Sequence, residues 1–350
     1  MPSQAYWFSR EGFTADVVGK LLQRTVLSPW KTVPLVLLAH YTSKGKTTSQ
    51  THPKAFQALK FLTFLAVLRR LNAWLNRRAL NNGVVDHYNW HREVIVLTGG
   101  SNGIGREVAT LLGNRGIKVA ILDIQPPQQD QGQQALPATV RFHKCDITSP
   151  QAIAQAAASI RTTMGEPTVL INNAGICTTR TILNTTEAQT RLSFDVNTLA
   201  HYWLAQEFLP HMVKHNHGMV VTVASQSGYL VTPNMVDYSA TKAAAIAFHE
   251  GLAAELVARY NAPRVRTVLL TQGFVRTALI SKMTPEDTWL NPLLYPESVA
   301  ENLVGQILLG ESGNVIVPGA SGWVARCIRG FPLWFQARLR IDLERLFRAD

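Results

Sequence analysis

Cysteine is scarce in this chain. There are three, Cys145, Cys177 and Cys327, an odd number whose spacing fits neither a disulfide framework nor a metal site. They read as structural filler in a reducing compartment, and no metal is expected. Long apolar runs are missing too. Val33-Pro34-Leu35-Val36-Leu37-Leu38-Ala39 is far shorter than the ~20 residues that a spanning helix needs. Residues 1–24 hold no long apolar run, so no secretory leader is expected. Acidic residues are few in one place: residues 1–92 carry 3 Asp/Glu against 13 Lys/Arg. No nucleic-acid-binding motif is present, so the net charge of +11 needs another reason.

That charge is unevenly placed. Residues 1–92 carry +10 and residues 323–350 carry +3, which leaves −2 for the body between them. Both basic arms are also rich in Leu, Phe and Trp, a combination that points to a membrane surface as partner and away from DNA. In the first arm, 26–41 fits a re-entrant or interfacial segment. Residues 42–53 are polar and read as a loop. Phe56 to Leu75 forms a second apolar stretch flanked by Lys60, Arg69, Arg70, Arg77 and Arg78. The alternative for it, a soluble helix packed on the body, would normally show a wider polar face. Trp323 to Phe347 repeats the mixture of aromatics and arginines. The expected division is an arm over 1–92, a nucleotide-binding domain over 93–320 and an amphipathic basic tail over 321–350.

The body alternates short apolar runs with amphipathic stretches, the mark of a parallel sheet covered on both faces. Strands are predicted at 94–98, 117–122, 139–142, 168–171, 218–224, 265–271 and 314–317. Helices are predicted at 104–114, 150–163, 187–215, 237–259 and 296–309, with 125–137 as a loop. This is a doubly wound, Rossmann-type α/β fold of about seven strands. Its centre is Val94-Ile95-Val96-Leu97-Thr98-Gly99-Gly100-Ser101-Asn102-Gly103-Ile104-Gly105. A strand, a glycine turn and a helix start in that order form a dinucleotide cradle, in which backbone N–H groups favour phosphate and glycines admit it closely.

Asp123 follows the second apolar run. Its carboxylate suits the free hydroxyls of an adenosine ribose and repels a 2′-phosphate, and no Arg or Lys stands beside it or in the glycine turn, so NAD is favoured over NADP. Asp146-Ile147 follows the third strand, where the acid suits an adenine amine or a helix N-cap. Asn172-Asn173-Ala174-Gly175 follows the fourth, with small residues that admit a ligand to the backbone. Ser225 precedes Tyr238 by thirteen residues, and Lys242 lies one helical turn after the tyrosine. A free phenol near pKa ~10 is a poor base. A lysine ammonium and an oxidised nicotinamide nearby would favour the phenolate, which could then exchange a proton with an alcohol while Ser225 holds the oxygen.

Taken together, these residues resemble the short-chain dehydrogenases/reductases of the single-domain type. The likeness runs through Thr98-Gly99-x-x-x-Gly103-x-Gly105, Asp123, Asp146, Asn172-Asn173-Ala174-Gly175, Asn197, Ser225, Tyr238-x-x-x-Lys242 and Gly273-x-Val275-x-Thr277, over about 93–320. It implies catalysis by Ser225, Tyr238 and Lys242, with Asn197 holding a water near Lys242. It also implies a nicotinamide ribose on Lys242, a carboxamide on Val275 and Thr277, and dimers formed through the two longest helices. Val196 to Trp203, Glu207 to Pro210 and Val236 to Ala244 are similar to the membrane-associated branch acting on retinol, 17β-hydroxysteroids and long-chain lipids. That branch implies the endoplasmic reticulum or lipid droplets as location. Gln272 stands where the family has proline, so a looser nicotinamide site with weaker cofactor binding or slower turnover is expected. The apolar residues of 278–296 lean toward a lipophilic substrate. The expected activity is hydride transfer between NAD and a lipophilic alcohol or carbonyl. The rival is a membrane- or droplet-bound nucleotide-binding module with little chemistry.

Overall fold

The computed structural model describes residues 10–127, 135–280 and 288–347. Seven strands form one parallel sheet: β1 (Val94–Thr98), β2 (Lys118–Asp123), β3 (Val140–Lys144), β4 (Val169–Asn172), β5 (Met219–Val223), β6 (Arg266–Gln272) and β7 (Gly313–Val317). Their order is β3-β2-β1-β4-β5-β6-β7, so the chain reverses direction across the sheet between β1 and β4. The strand predictions hold within about two residues at each end. Successive side chains of a strand point to opposite faces. Ile95 and Leu97 accordingly enter one core, and Val94 and Val96 the other.

Among the described residues the N-terminal arm carries α1 (Ala15–Arg24), α2 (Pro29–Tyr41), α3 (Ser43–Thr51) and α4 (Pro53–Leu80). The polar loop expected at 42–53 is in fact α3. Thr42 caps it by accepting from Gly45 N at 3.0 Å. A Cβ on Gly45 would lie 2.2 Å from Leu38 O, so glycine there lets α3 cross the end of α2 closely. Among the described residues, no helix is both long and apolar enough to cross a membrane.

On the body, α5 (Gly103–Gly113) and α10 (Pro296–Leu308) cover one face of the sheet with Val108, Leu112, Val299, Leu303 and Ile307. The other face is covered by α6 (Pro150–Thr163), α8 (Ala200–His215) and α9 (Val236–Ala258). The single helix expected over 187–215 is interrupted. It comprises α7 (Glu187–Phe194), a π-helical turn at Asp195–Leu199, and α8. The tail supplies α11 (Gly319–Cys327) and α12 (Leu333–Asp342).

The junction between arm and body is polar and partly buried. Arg266, fully buried at the start of β6, donates to Asn81 O at 3.1 Å and Val84 O at 2.9 Å. His217 lies between two carboxylates, with Nδ1 2.7 Å from Asp86 and Nε2 3.4 Å from Glu93. Its hydrogen bond to Glu93, aided by Asp86 and opposed by partial burial, raises its pKa above the usual 6.5. A raised folded-state pKa stabilises the fold fully below the unfolded value, and that contribution is lost as pH rises through the folded one. The melting temperature should therefore fall by ~2–4 °C more in the wild type than in His217→Gln between pH 6 and pH 8.5. Parallel slopes in a thermal melt series would exclude this role.

Candidate active site

The glycine turn sits at the carboxyl ends of β1 and β4, where the strand order reverses and ligands of open α/β sheets bind. Thr98 ties the two ends together. Its Oγ1 accepts from Asn173 N and Ala174 N, each at 3.0 Å. Asn173 Nδ2 in turn donates to Thr98 O and Gly99 O at 3.0 Å. Gly99 and Gly103 have φ of 65° and 54°, the left-handed region that glycine occupies without strain. A Cβ on Gly105 would stand 2.1 Å from Gly99 O, so the helix can start here only with glycine. Asn102 precedes α5, and its Oδ1 accepts from Gly103 N at 2.7 Å.

Asp123 ends β2 beside this turn. Its carboxylate accepts from Ser101 N at 3.1 Å and Gln125 N at 3.3 Å, which fixes it near the start of α5. Asp146 is exposed, and its Oδ1 accepts from Thr148 N at 2.9 Å and Thr148 Oγ1 at 2.8 Å. The N-cap of α6 is Ser149, so that alternative for Asp146 is not realised. Ile147 is buried in the core under α6.

Two further points draw the ends of β4, α9 and β6 toward the turn. A Cβ on Gly103 would lie 3.3 Å from the Thr277 methyl. A Cβ on Gly175 would lie 3.4 Å from both Asn197 Oδ1 and Lys242 Nζ. The described geometry thus gathers the glycine turn, Gly175, Asn197, Lys242 and Thr277 around one space. Gly273 follows β6, and its N donates to Val317 O at 2.8 Å. Val275 bridges to Leu294.

Tyr238 and Lys242 share one face of α9 and are both buried. Lys242 Nζ lies 5.6 Å from the Tyr238 ring centroid and donates to Val223 O at 2.8 Å. Burial lowers the lysine to about 8. Burial also raises the Tyr238 phenol above 10, Cys177 adds to this, and a hydrogen bond with Ser225 opposes it. Desolvation therefore dominates in the chain alone, and Tyr238 rests as a neutral acid. Ser225 follows β5. Its Oγ accepts from Ser227 N at 3.2 Å and donates to Gln272 O at 3.3 Å. Asn197 owes its place to the π-helical turn, which sequence periodicity did not show. Its Oδ1 accepts from Ile176 N at 2.9 Å, and its Nδ2 donates to Ile176 O and Thr241 Oγ1.

Ser225 and Tyr238 open into a cleft. Leu279, Ile280 and Leu290 line it from the segment after β6, and Val324, Leu339 and Leu343 from the tail. Met283, which the sequence also assigned to that segment, lies outside the described residues. Two neighbours were missed as site residues. Cys177, taken for filler, packs against Tyr238, and burial raises its thiol to about 11. Asp237 Oδ2 accepts from Thr178 Oγ1 at 3.0 Å and Ser193 Oγ at 2.8 Å, which anchors the start of α9. Their position two residues after Gly175 and one before Tyr238 was the available signal.

Residues 93–288 match the model of the short chain dehydrogenase family. The chain belongs to that family. It is an NAD(P)-dependent oxidoreductase. Dehydrogenase RED2 of Cochliobolus heterostrophus is 43% identical over 211 residues, 60% of this chain and 78% of that protein. Estradiol 17-beta-dehydrogenase 11 of Rattus norvegicus is 35% identical over 260 residues, 73% of this chain and 86% of that protein. Epidermal retinol dehydrogenase 2 of Mus musculus is 30% identical over 220 residues, 62% and 71% of the two chains. The ligand-free structure of Thermoplasma acidophilum aldohexose dehydrogenase shares the fold, with a TM-score of 0.55 at 22% identity over 65% of this chain and 93% of that one. The steroid and retinol names are those of the branch that the sequence resembles.

Proposed function

We propose that this dehydrogenase uses NAD to interconvert a lipophilic alcohol and its aldehyde or ketone at a membrane surface, with Tyr238 as acid/base. The observation that carries the reading is the buried Ser225, Tyr238 and Lys242 set opening into an apolar cleft rimmed by the tail. Bound NAD would supply the hydride acceptor. The residues fit it: α5 presents its N-terminal N–H groups to a pyrophosphate, Asp123 offers acceptors to ribose hydroxyls, and Asp146 and Ile147 stand at the adenine end. Lys242 would hold the second ribose. Val275 and Thr277 would hold the carboxamide.

Ser225 orients the substrate oxygen toward the Tyr238 phenol, which takes its proton in oxidation and returns one in reduction. Lys242, near 8, is charged at neutral pH and draws the phenol toward its ionised form as the site fills. Asn197 Oδ1 and Lys242 Nζ approach the same point, where a water would pass the proton outward. The alternative of a binding module gives no reason to bury a lysine next to a phenol. The lipophilic substrate class, the endoplasmic reticulum or lipid-droplet location and a homodimer through α8 and α9 are part of the same reading. Exposed Tyr202 and Val257 on those helices support the dimer.

The test is cofactor reduction by detergent-solubilised protein with NAD and then NADP, against retinol, a 17β-hydroxysteroid and a long-chain alcohol. Turnover with NAD supports the reading; no turnover on any of them, with NAD still bound, supports the binding module. Asp123 sets the cofactor choice. Asp123→Asn keeps an acceptor but removes the charge facing a 2′-phosphate. The NAD/NADP affinity ratio should then fall about tenfold or more. Titration of both cofactors checks this, and an unchanged ratio refutes the role.

A further inference from the structure

The cleft is lined mainly by apolar surface, and two of its polar residues that the mechanism leaves unused carry a buried side-chain atom without a partner among the described residues. Gln272 is 7% exposed and lines the cleft at the end of β6, yet its Oε1 has no hydrogen-bond partner among the described residues. Ser227 lines the same cleft, and its Oγ is buried with no partner either. A third polar lining residue, Gln226, is satisfied: Nε2 donates to Val317 O and Pro318 O, and Oε1 accepts from Ser321 Oγ at 3.1 Å. Buried polar atoms are normally paired, and leaving one unpaired is costly. Two unpaired atoms on residues that line one mostly apolar cleft therefore point to a ligand group that pairs them.

Their position says which part of the ligand. Gln272 accepts the Ser225 hydroxyl through its own carbonyl, and Ser227 donates its N–H to the same oxygen. Both residues thus flank the serine that orients the substrate oxygen. We propose that Gln272 and Ser227 form a polar subsite for a second hydroxyl carried close to the reacting carbinol, so that the substrate is a lipophilic diol or hydroxyketone. The amide oxygen accepts the hydroxyl proton, and the Ser227 hydroxyl donates to the hydroxyl oxygen. Proline at position 272 would offer no side-chain acceptor. The subsite rests on the lipophilic-alcohol reading above and refines it.

The test compares matched probes with NAD present: dodecan-1-ol against dodecane-1,2-diol, and 17β-estradiol against its 16α-hydroxy derivative. Dissociation constants come from ligand-induced thermal shifts. The wild type should bind the diol about tenfold more tightly in at least one pair. Gln272→Met, of equal length, should bring that ratio to about one, and Ser227→Ala should lower it at least threefold. Ligand-free Gln272→Met should melt no lower than the wild type, because an unpaired buried oxygen is gone. A ratio near one in the wild type for both pairs, or no binding of any probe, overturns the proposal. So does a ratio that survives Gln272→Met. Should that variant not fold, an unchanged ratio in Ser227→Ala overturns it alone. A diol that binds preferentially but is never oxidised leaves the subsite standing and sinks the proposed oxidation of lipophilic alcohols instead.

Discussion

Tyr238→Phe is expected to lower turnover by about 10²–10⁴-fold, the usual worth of a positioned acid/base, with the fold and NAD affinity intact. The ring is almost fully buried against Met235, Cys177, Phe274 and Leu279, and phenylalanine fills the same volume. Only the hydroxyl is lost, and with it the hydrogen bond to Ser225. Removing both a buried hydroxyl and its desolvation cost should change stability by no more than about 1 kcal/mol. The loss should fall on kcat, since no apolar contact to the substrate disappears. Steady-state kinetics beside a thermal melt with NAD separates the outcomes. A residual rate within tenfold of the wild type would remove Tyr238 from the chemistry.

How much of this was legible in the sequence depends on the range of the interaction. β1 and β2 are buried on both faces, so Val94 to Leu97 and Val119 to Leu122 appear as unbroken apolar runs and need no tertiary information. The glycine turn was equally plain, because its local needs, a positive φ at Gly99 and Gly103 and the close approach of Gly105 to Gly99 O, show in the glycine spacing itself. The helix α3 was hidden for the opposite reason. Its Ser, Thr and Gly residues are weak helix formers. It holds because α2 and α4 flank it and because Thr47, Thr48 and Thr51 each donate to the carbonyl four residues earlier. Asn197 was identified by family likeness, but its π-helical turn and its bonds to Ile176 and Thr241 depend on packing of α9 against the β4 loop. Gln272 stood out only as a departure from proline. That its amide oxygen stands unpaired on a residue lining the same cleft as Ser227 follows from the meeting of β5 and β6, which no local pattern encodes.

Membrane attachment is expected to depend on a few exposed aromatics of the arm. Phe61, Phe64 and Trp74 on α4 are each more than half exposed, and Trp30 on α2 is 83% exposed. Lys60 and Arg78 lie against the Phe56 and Trp74 rings, which puts positive charge at the edge of the apolar surface. The tail adds Leu333 and Trp334, both largely exposed, at the start of α12, the helix whose Leu339 lines the cleft. An interfacial helix gains from apolar burial and from attraction to anionic lipid. A fully buried large side chain contributes about 1.5–3 kcal/mol. Even with partial insertion, replacing Phe61, Phe64 and Trp74 by serine should weaken partition into anionic vesicles by about 10²–10³-fold. Secondary structure should be unchanged, because none of the three is buried in the protein. Raising the salt should weaken the wild type further, since the basic residues act within a Debye length of the surface. The same variant should keep its kcat on a short water-soluble alcohol and lose rate only on a vesicle-borne one. That split would tie the arm to substrate delivery, because the cleft's tail and the exposed aromatics would then serve the same lipid surface. Unchanged vesicle binding by the triple variant would instead leave α2 and α4 as a helical cover on the body.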